Sequence, residues 1–127
     1  MKTRTRRYSV NPSYQIPTPG RLLAHDLSLE AAGMVFRLVD RVPPSSRDLA
    51  DQARRAASSV PLNLAEGSGR TGRDRLHHYR IAYGSLKETE SCVGLLATVG
   101  AVDQADARVA LALLDRIGAM TWKLTRR

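Results

Sequence analysis

The sequence is poor in the features that hold extracellular or membrane proteins together. Its single cysteine, Cys92, cannot form a disulfide within one chain, which suits a reducing compartment. We expect no signal peptide, and no stretch reaches the ~20 apolar residues of a membrane-spanning helix. Strand-like alternation is also nearly absent. The 127 residues suffice for one domain with its own core, so we expect a soluble, cytoplasmic protein without a membrane partner.

Acidic residues are scarce relative to basic ones. Twenty Lys and Arg against twelve Asp and Glu give a formal net charge of +8, which favours polyanionic partners. Residues 1–20 contain three prolines and no apolar periodicity, so we expect a flexible, irregular arm. A solvated tail and a binding arm both remain open interpretations. Residues 1–21 hold no acid and five basic residues: Lys2, Arg4, Arg6, Arg7 and Arg21.

Beyond residue 20, apolar residues recur at helical spacing in four segments separated by proline and glycine. The pattern predicts an all-α, antiparallel up-down-up-down four-helix bundle over residues 21–127. Pro43 and Pro44 should end the first helix. Pro61 falls inside the second helix, where we expect a kink near Ser58. Ser45 and Thr71 should cap the second and third helices. Gly100 should end the third helix, and Asp103 should start the fourth.

The stretch NLAEGSGRTGRDR, residues 63–75, contains a literal G-x-G-x-x-G. A dinucleotide-binding fingerprint needs a strand before its first glycine, and here a helix precedes it. The glycines therefore indicate a helix–helix turn, with Gly67 or Gly69 in the left-handed conformation. The third helix begins here beside Arg70 and Arg73, so its N-terminus is a candidate site for a single phosphate.

Polar residues follow one flank of the second helix, beside its apolar stripe. Half-buried polar groups need hydrogen-bond partners, so we predict a network across helices or subunits rather than a catalytic site. Its members on this helix are Gln52, Ser59, Asn63 and Glu66. On the third helix, Gly84 costs about 1 kcal/mol relative to alanine, which favours close approach of another backbone.

Two segments carry a resemblance to a known family: QARRAASSVPLNLAEGSGR, residues 52–70, and IAYGSLKETE, residues 81–90. They resemble the four-helix-bundle proteins encoded in intervening sequences of bacterial 23S rRNA genes. The family pattern is approximately Q-x-x-R-A-x-S-[IV]-x-x-N-[IL]-A-E-G followed by A-x-G-S-x-x-E. It adds Arg55, Ser85 and Glu88 to the polar set. Thr89 departs from it, since the family usually has an apolar residue there.

The resemblance implies a bundle that assembles into a ring, typically a homopentamer. The family includes the accessory variability protein of diversity-generating retroelements, which binds nucleic acid and a reverse transcriptase through a basic surface. We therefore expect a non-enzymatic, homo-oligomeric accessory protein that binds RNA or DNA and assists a reverse transcriptase in one branch of the family. The alternative is an oligomeric scaffold or protein-interaction module without nucleic-acid binding. The arm lies outside the family pattern, so nothing is carried over to it.

Excess apolar surface predicts self-association independently. The apolar arc of the fourth helix spans roughly 220°, whereas a surface helix of a monomeric bundle needs little more than ~100°. The third helix also has apolar residues off its main stripe. We expect the oligomer interface to include Ile81, Leu95, Val99, Val109, Leu111 and Trp122.

The remaining polar residues indicate binding rather than catalysis. His77 and His78 are adjacent and point ~100° apart, whereas metal ligands in bundles lie at i, i+3 or i+4. No nucleophile elbow occurs, and Cys92 should be a small packing residue. We thus expect no enzyme, metal or cofactor. The predicted phosphate contacts, which would not read sequence, are Arg54, Arg70, Arg73, Arg75 and Arg80, with Lys2, Arg4, Arg6 and Arg7 of the arm.

Overall fold

The computed structural model describes residues 22–126. The predicted arm, with Lys2, Arg4, Arg6 and Arg7, and the final Arg127 lie outside the described residues. Within residues 22–126 the chain forms no strand, and the predicted all-α four-helix bundle is confirmed. The helices are α1 (Leu23–Leu38), α2 (Arg47–Ser68), α3 (Gly72–Thr98) and α4 (Gln104–Leu124), with a short 3-10 turn, Pro44–Ser46, before α2.

The four helices pack in a closed cycle. Each packs against its neighbours in the chain, and α1 also packs against α4. Short connections make consecutive helices antiparallel. The start of α1, the α2–α3 turn and the end of α4 therefore share one end of the bundle, here called the α2–α3 end. None of the helices within residues 22–126 has the length and apolarity to cross a membrane.

The core is built from small residues on α2 and larger ones on its neighbours. Ala53 and Ala57 are buried on α2, while Leu86 of α3 and Ile117 of α4 are fully buried. Small side chains allow two helices to approach closely, since interaxial distance depends on the side chains at the contact. The α2–α3 pair consequently forms the most extensive contact in the bundle.

Gly67 is required by this close packing. A Cβ atom built at Gly67 would lie 2.7 Å from Cε1 of Tyr79 and 3.2 Å from the carbonyl oxygen of Arg75. The prediction that Gly67 or Gly69 is left-handed is wrong, because Gly67 lies inside α2 and Gly69 has φ −86°. The positive φ belongs instead to Gly72, at +56°, which opens α3.

Two helix ends follow the prediction. Asp103 caps α4, its Oδ1 accepting from the backbone N–H of Asp106 at 3.0 Å. Gly100 has φ +72° and follows the last residues of α3. The N–H of Gly100 bonds to Ala97 O and that of Ala101 to Leu96 O, which is the Schellman pattern.

Other helix ends differ. α1 ends at Leu38, well before the prolines, and the N–H groups of Asp40 and Val42 bond only three residues back. Ser45 lies within the 3-10 turn, so it does not cap α2. Thr71 occupies the N-cap position of α3, but its side chain makes no capping bond.

Three residues singled out inside helices have different outcomes. α2 is continuous through Pro61, and the kink near Ser58 stays a prediction. The close backbone approach predicted at Gly84 is wrong for one chain, because no described atom lies within 4 Å of a Cβ built there. Thr89 is fully buried, and its hydroxyl donates to Ser85 O at 2.7 Å, which satisfies it within its own helix.

Candidate nucleic-acid interface

A polar seam joins α2 to α3, formed by Ser59, Asn63, His78 and Ser85. The Ser85 hydroxyl donates to Ser59 Oγ at 2.7 Å. Asn63 Nδ2 donates to Ser59 Oγ at 3.0 Å and to its carbonyl at 2.9 Å. His78 Nδ1 lies 3.1 Å from Asn63 Oδ1, and since a carbonyl oxygen only accepts, His78 is the donor. The seam thus satisfies polar groups within one chain.

The other predicted members of this network lie apart from the seam. Gln52 Nε2 donates to Glu88 Oε2 at 3.1 Å, also across α2 and α3. Glu66 instead bonds to Arg70, four residues along the chain. Arg55 is exposed and has no bonded partner among residues 22–126. His78 was missed as a member, although its position seven residues before Ser85 places the two side chains on the same face of α3.

Two of the predicted phosphate-binding arginines are already paired with carboxylates. Arg54 Nη1 lies 2.8 Å from Asp51 Oδ1. Arg70 bridges Glu66 and Asp74 at 2.5 and 2.9 Å. The hydrogen bond and charge of Arg70 lower the pKa of Glu66 below its ordinary value, and the pKa of Arg70 is raised in turn. Because Asp74 and Arg70 occupy the start of α3, the predicted single-phosphate site there is largely self-neutralised.

The other predicted arginines differ in availability. Arg75 donates through Nε to Gly67 O at 3.1 Å and through Nη2 to Ser68 O at 3.3 Å, so it caps the carbonyl end of α2. Arg73 and Arg80 are exposed and have no carboxylate partner among residues 22–126. In the described part of the chain, these two arginines near the turn carry positive charge that no bonded group neutralises.

Charge is distributed unequally between the two ends of the bundle. Residues 22–126 hold fourteen basic and twelve acidic residues, so they contribute only +2 of the +8. When each helix is divided at its midpoint, the half of the bundle at the α2–α3 end holds five acids and seven basic residues, the latter being Arg70, Arg73, Arg75, Arg80, Arg116, Lys123 and Arg126. The opposite half holds seven acids and seven basic residues. Residues 1–21, with five further basic residues, join the bundle at the α2–α3 end through Leu22.

The predicted interface residues divide into different surfaces. Ile81, Leu95 and Val99 are 38%, 53% and 64% exposed and lie within ~40° of each other around α3, so they form one stripe, here called the α3 stripe. Val109 and Trp122 are also exposed but lie ~140° apart around α4. Leu111 is half-buried and packs against the core of its own chain, and its place in the oligomer interface stays a prediction.

A further group of side chains was not predicted as a unit. The rings of Tyr83 and Trp122 have centroids 5.4 Å apart, and Arg126 Cζ lies 5.0 Å from the Trp122 centroid. With Arg80 and Thr125 they line an open cleft of about 490 Å³ between α3 and α4, here called the aromatic cleft. Tyr83 and Trp122 lie on different helices, so only their packed register brings them together.

An apolar cleft between α1 and α2 was also missed. Phe36 and Leu62, 42% and 68% exposed, line an open space of about 460 Å³ with Arg54, Arg55, Ser58, Ser59 and Asn63. The position of Leu62 on the polar side of α2 was a signal that the sequence offered.

Groups capable of redox or metal chemistry are few. Cys92 is buried, and burial raises the pKa of its thiol, so it packs as predicted. His77 and His78 have ring centroids 5.3 Å apart in an edge-on arrangement. No cluster of three metal-ligating side chains occurs within residues 22–126.

The fold and its surfaces define a class of small helical-bundle proteins with an excess of basic residues at one end. The chain belongs to the 23S rRNA-intervening sequence protein family, whose model matches residues 21–123. A similar fold occurs in a protein of unknown function from the S23 ribosomal protein family of Bacteroides thetaiotaomicron, with a TM-score of 0.74 and 20% identity. The likeness covers 82% of this chain and 99% of that one. No match was found among curated proteins.

Proposed function

We propose that this protein is a homo-oligomeric accessory protein that binds nucleic acid through the α2–α3 end of its bundle. The observation that carries the proposal is the unequal charge of the two ends. An excess of basic residues and the attachment of residues 1–21 coincide at one end, whereas the opposite half of the bundle has equal numbers of acidic and basic residues. A surface with this polarity attracts a polyanion and orients it toward one end.

Binding by this end is electrostatic and independent of base sequence. Arginine contacts to phosphates release condensed counterions, so the logarithm of affinity falls linearly with the logarithm of salt concentration. Arg73 and Arg80 supply charge that no described carboxylate neutralises. Arg54 and Arg70 contribute less, because each already holds a carboxylate.

The test is a salt titration of binding to labelled RNA and DNA, by fluorescence anisotropy. Arg73→Gln and Arg80→Gln should each weaken binding and reduce the salt slope by about 1. Arg54→Gln is the matched control and should change the slope less, because Arg54 is already paired with Asp51 and is less available to a phosphate. Affinity that does not change between low and physiological salt would contradict the proposal.

The same experiment tests whether the basic residues of the arm contribute to binding. Substituting Arg4, Arg6 and Arg7 together by glutamine, in the full-length chain, should lower affinity more than either bundle substitution, because three charges are removed. An unchanged affinity would mean that residues 1–21 serve as a solvated tail.

Self-association belongs to the same proposal and is assigned to the α3 stripe. Its three apolar residues are exposed on one face, and the surface around Gly84 is open, so a second helix can approach closely there. We propose a ring, with five subunits as the family resemblance implies. Light scattering should give a mass several times 14.0 kDa. Leu95→Glu should reduce this mass, and Leu62→Glu, at a more exposed leucine on α2, should not.

An accessory role toward a reverse transcriptase is the most specific form of the proposal. The family resemblance assigns this role to only one branch of the family, so the role needs a test of its own. Nuclease-treated protein should retain a reverse transcriptase partner encoded beside its gene. Retention of a different protein, together with no binding of nucleic acid, would favour the scaffold alternative.

A further inference from the structure

The aromatic cleft brings aromatic rings and guanidinium groups together. Trp122 is 46% exposed, although its ring lies against Tyr83 and under the guanidinium of Arg126, so part of the ring is open to solvent. Arg80 and Arg126 stand on the walls of the same cleft. No carboxylate is among the lining residues that belong to the described part of the chain.

Lys87 adds a weaker positive group at the edge of the cleft. Its Nζ lies 5.5 Å from the Tyr83 centroid, but it also pairs with Glu90 at 3.2 Å. The pair leaves Arg80 and Arg126 as the main cationic groups. The cleft is thus a flat aromatic surface with guanidinium groups at its sides.

We propose that the aromatic cleft binds one nucleotide of a single-stranded nucleic acid, its base stacked on Trp122 and Tyr83 and its phosphates on Arg80 and Arg126. This inference rests on the proposed function and specifies the form of nucleic acid. Base–aromatic stacking with basic side chains along the backbone is the usual means by which proteins hold single strands without sequence preference. The cleft volume of about 490 Å³ suits a ligand of nucleotide size.

Arg126 must move for the base to reach the whole Trp122 ring. The Cζ–centroid distance of 5.0 Å leaves no space for a base between them. An exposed cation–π contact is weaker than stacking of a base on an aromatic side chain, so the exchange is favourable. Arg126 is exposed and follows the end of α4, and once displaced it remains beside the stacked base, where the adjoining phosphate lies.

A duplex cannot stack a base in this cleft without first opening locally. Bases within a duplex are stacked on both faces and paired at their edges, so extruding one requires unstacking and unpairing. A single strand presents its bases freely. The cleft therefore predicts a preference for single strands, in addition to the electrostatic attraction that both forms share.

Trp122 is the only tryptophan in the chain, which makes its fluorescence a local probe. The experiment titrates the full-length protein with oligo(dT) and oligo(U) of about twelve nucleotides, and with a duplex of equal length. Single strands should quench Trp122 emission and bind more tightly than the duplex. The two single strands should behave alike, since stacking and phosphate contacts do not distinguish DNA from RNA.

Variants separate stacking from charge. Trp122→Ala should weaken single-strand binding about tenfold and leave duplex binding unchanged, whereas Trp122→Phe, which keeps a ring, should retain most of it. Arg126→Gln should reduce the salt slope for single strands by about 1. Val109→Ala, at another exposed apolar site on α4, is the matched control and should change neither.

The outcomes distinguish this inference from the proposed function. Salt-dependent binding of both forms with equal affinity and no quenching overturns the cleft assignment and leaves the proposed function standing. No binding of either form overturns both. A lower oligomer mass for Trp122→Phe, measured without nucleic acid, would place Trp122 in a subunit interface and also overturn the cleft assignment.

Discussion

The two flanks of α3 differ in how their polar and aromatic groups are used. Toward α2, the seam of Ser59, Asn63, His78 and Ser85 is hydrogen-bonded within the chain. Toward α4, Tyr83 and Trp122 leave an open cleft whose arginines have no described carboxylate partner. The same helix therefore presents a satisfied flank and an unsatisfied one.

The difference teaches how to separate structural from binding residues in this bundle. A polar group that already has its partner adds rigidity, and a ligand would have to break that bond to use it. When a ligand binds an exposed cation that has no carboxylate partner, the ligand displaces only water. By this criterion we expect Arg73, Arg80 and Arg126 to be available to a ligand, whereas Arg75 caps α2.

The largest expected effect is the loss of stability when the packing of α2 against α3 is disrupted at Gly67. Gly67→Ala places a methyl group 2.7 Å from the Tyr79 ring and 3.2 Å from a backbone oxygen that cannot easily move. Overpacking of this kind costs typically 1–3 kcal/mol, so we expect a loss of about 2 kcal/mol in the free energy of unfolding, measured by urea denaturation.

Gly118 is the matched control on the α3–α4 flank. Its added Cβ would meet only Leu86 Cδ2 at 3.2 Å, the end of a flexible side chain. Alanine also gains about 1 kcal/mol of helix propensity over glycine, so Gly118→Ala should be near neutral. If Gly118→Ala destabilises as much as Gly67→Ala, the two flanks are packed alike and the comparison fails.

A smaller effect is expected from removing the centre of the seam. Ser59→Ala takes away the acceptor of both Ser85 and Asn63, which are half-buried. Loss of one net hydrogen bond costs about 1 kcal/mol. The substitution should lower the unfolding free energy by that amount and leave nucleic-acid affinity unchanged. A large loss of affinity instead would show that the seam contacts the ligand.

Arg75→Gln sharpens the comparison between capping and binding arginines. The substitution removes charge-assisted bonds to Gly67 O and Ser68 O, so unfolding free energy should fall by up to about 1 kcal/mol. Arg73→Gln, two residues earlier, should leave stability unchanged. Thermal unfolding of the two variants side by side provides the measurement, and equal melting temperatures would contradict the assignment.

The smallest effect concerns acid titration of the turn. Arg70 lowers the pKa of Glu66, so the stabilisation from this pair is present above the ordinary carboxyl pKa and is lost as the pH falls through the lowered one. Arg70→Gln should raise the pKa of Glu66 toward its ordinary value, as observed by NMR titration. The shift in overall stability should be slight because both side chains are exposed.

Much of the candidate site was visible in local sequence, and some of it was overlooked. Glu66, Arg70 and Asp74 lie four residues apart across the α2–α3 turn, and this closeness along the chain was a signal for the ion pairs that neutralise Arg70. Ser59 and Asn63 lie beside the apolar stripe of α2, which predicts that they need partners. The identity of those partners, Ser85 and His78, depends on the register of α3 against α2, which no local pattern contains.

By itself the sequence determined that this chain is helical and where most of its helices divide, because apolar periodicity and helix-breaking residues act locally. Only the tertiary structure decided that Gly67 is needed for close approach to Tyr79, and that the left-handed glycine of the turn is Gly72. Only the tertiary structure placed Tyr83 beside Trp122. It also left Arg73 and Arg80 without a described carboxylate partner, whereas Arg75 caps the end of α2. The physical reason is that these properties follow from how one helix lies against another, and that arrangement is set by packing the whole core at once.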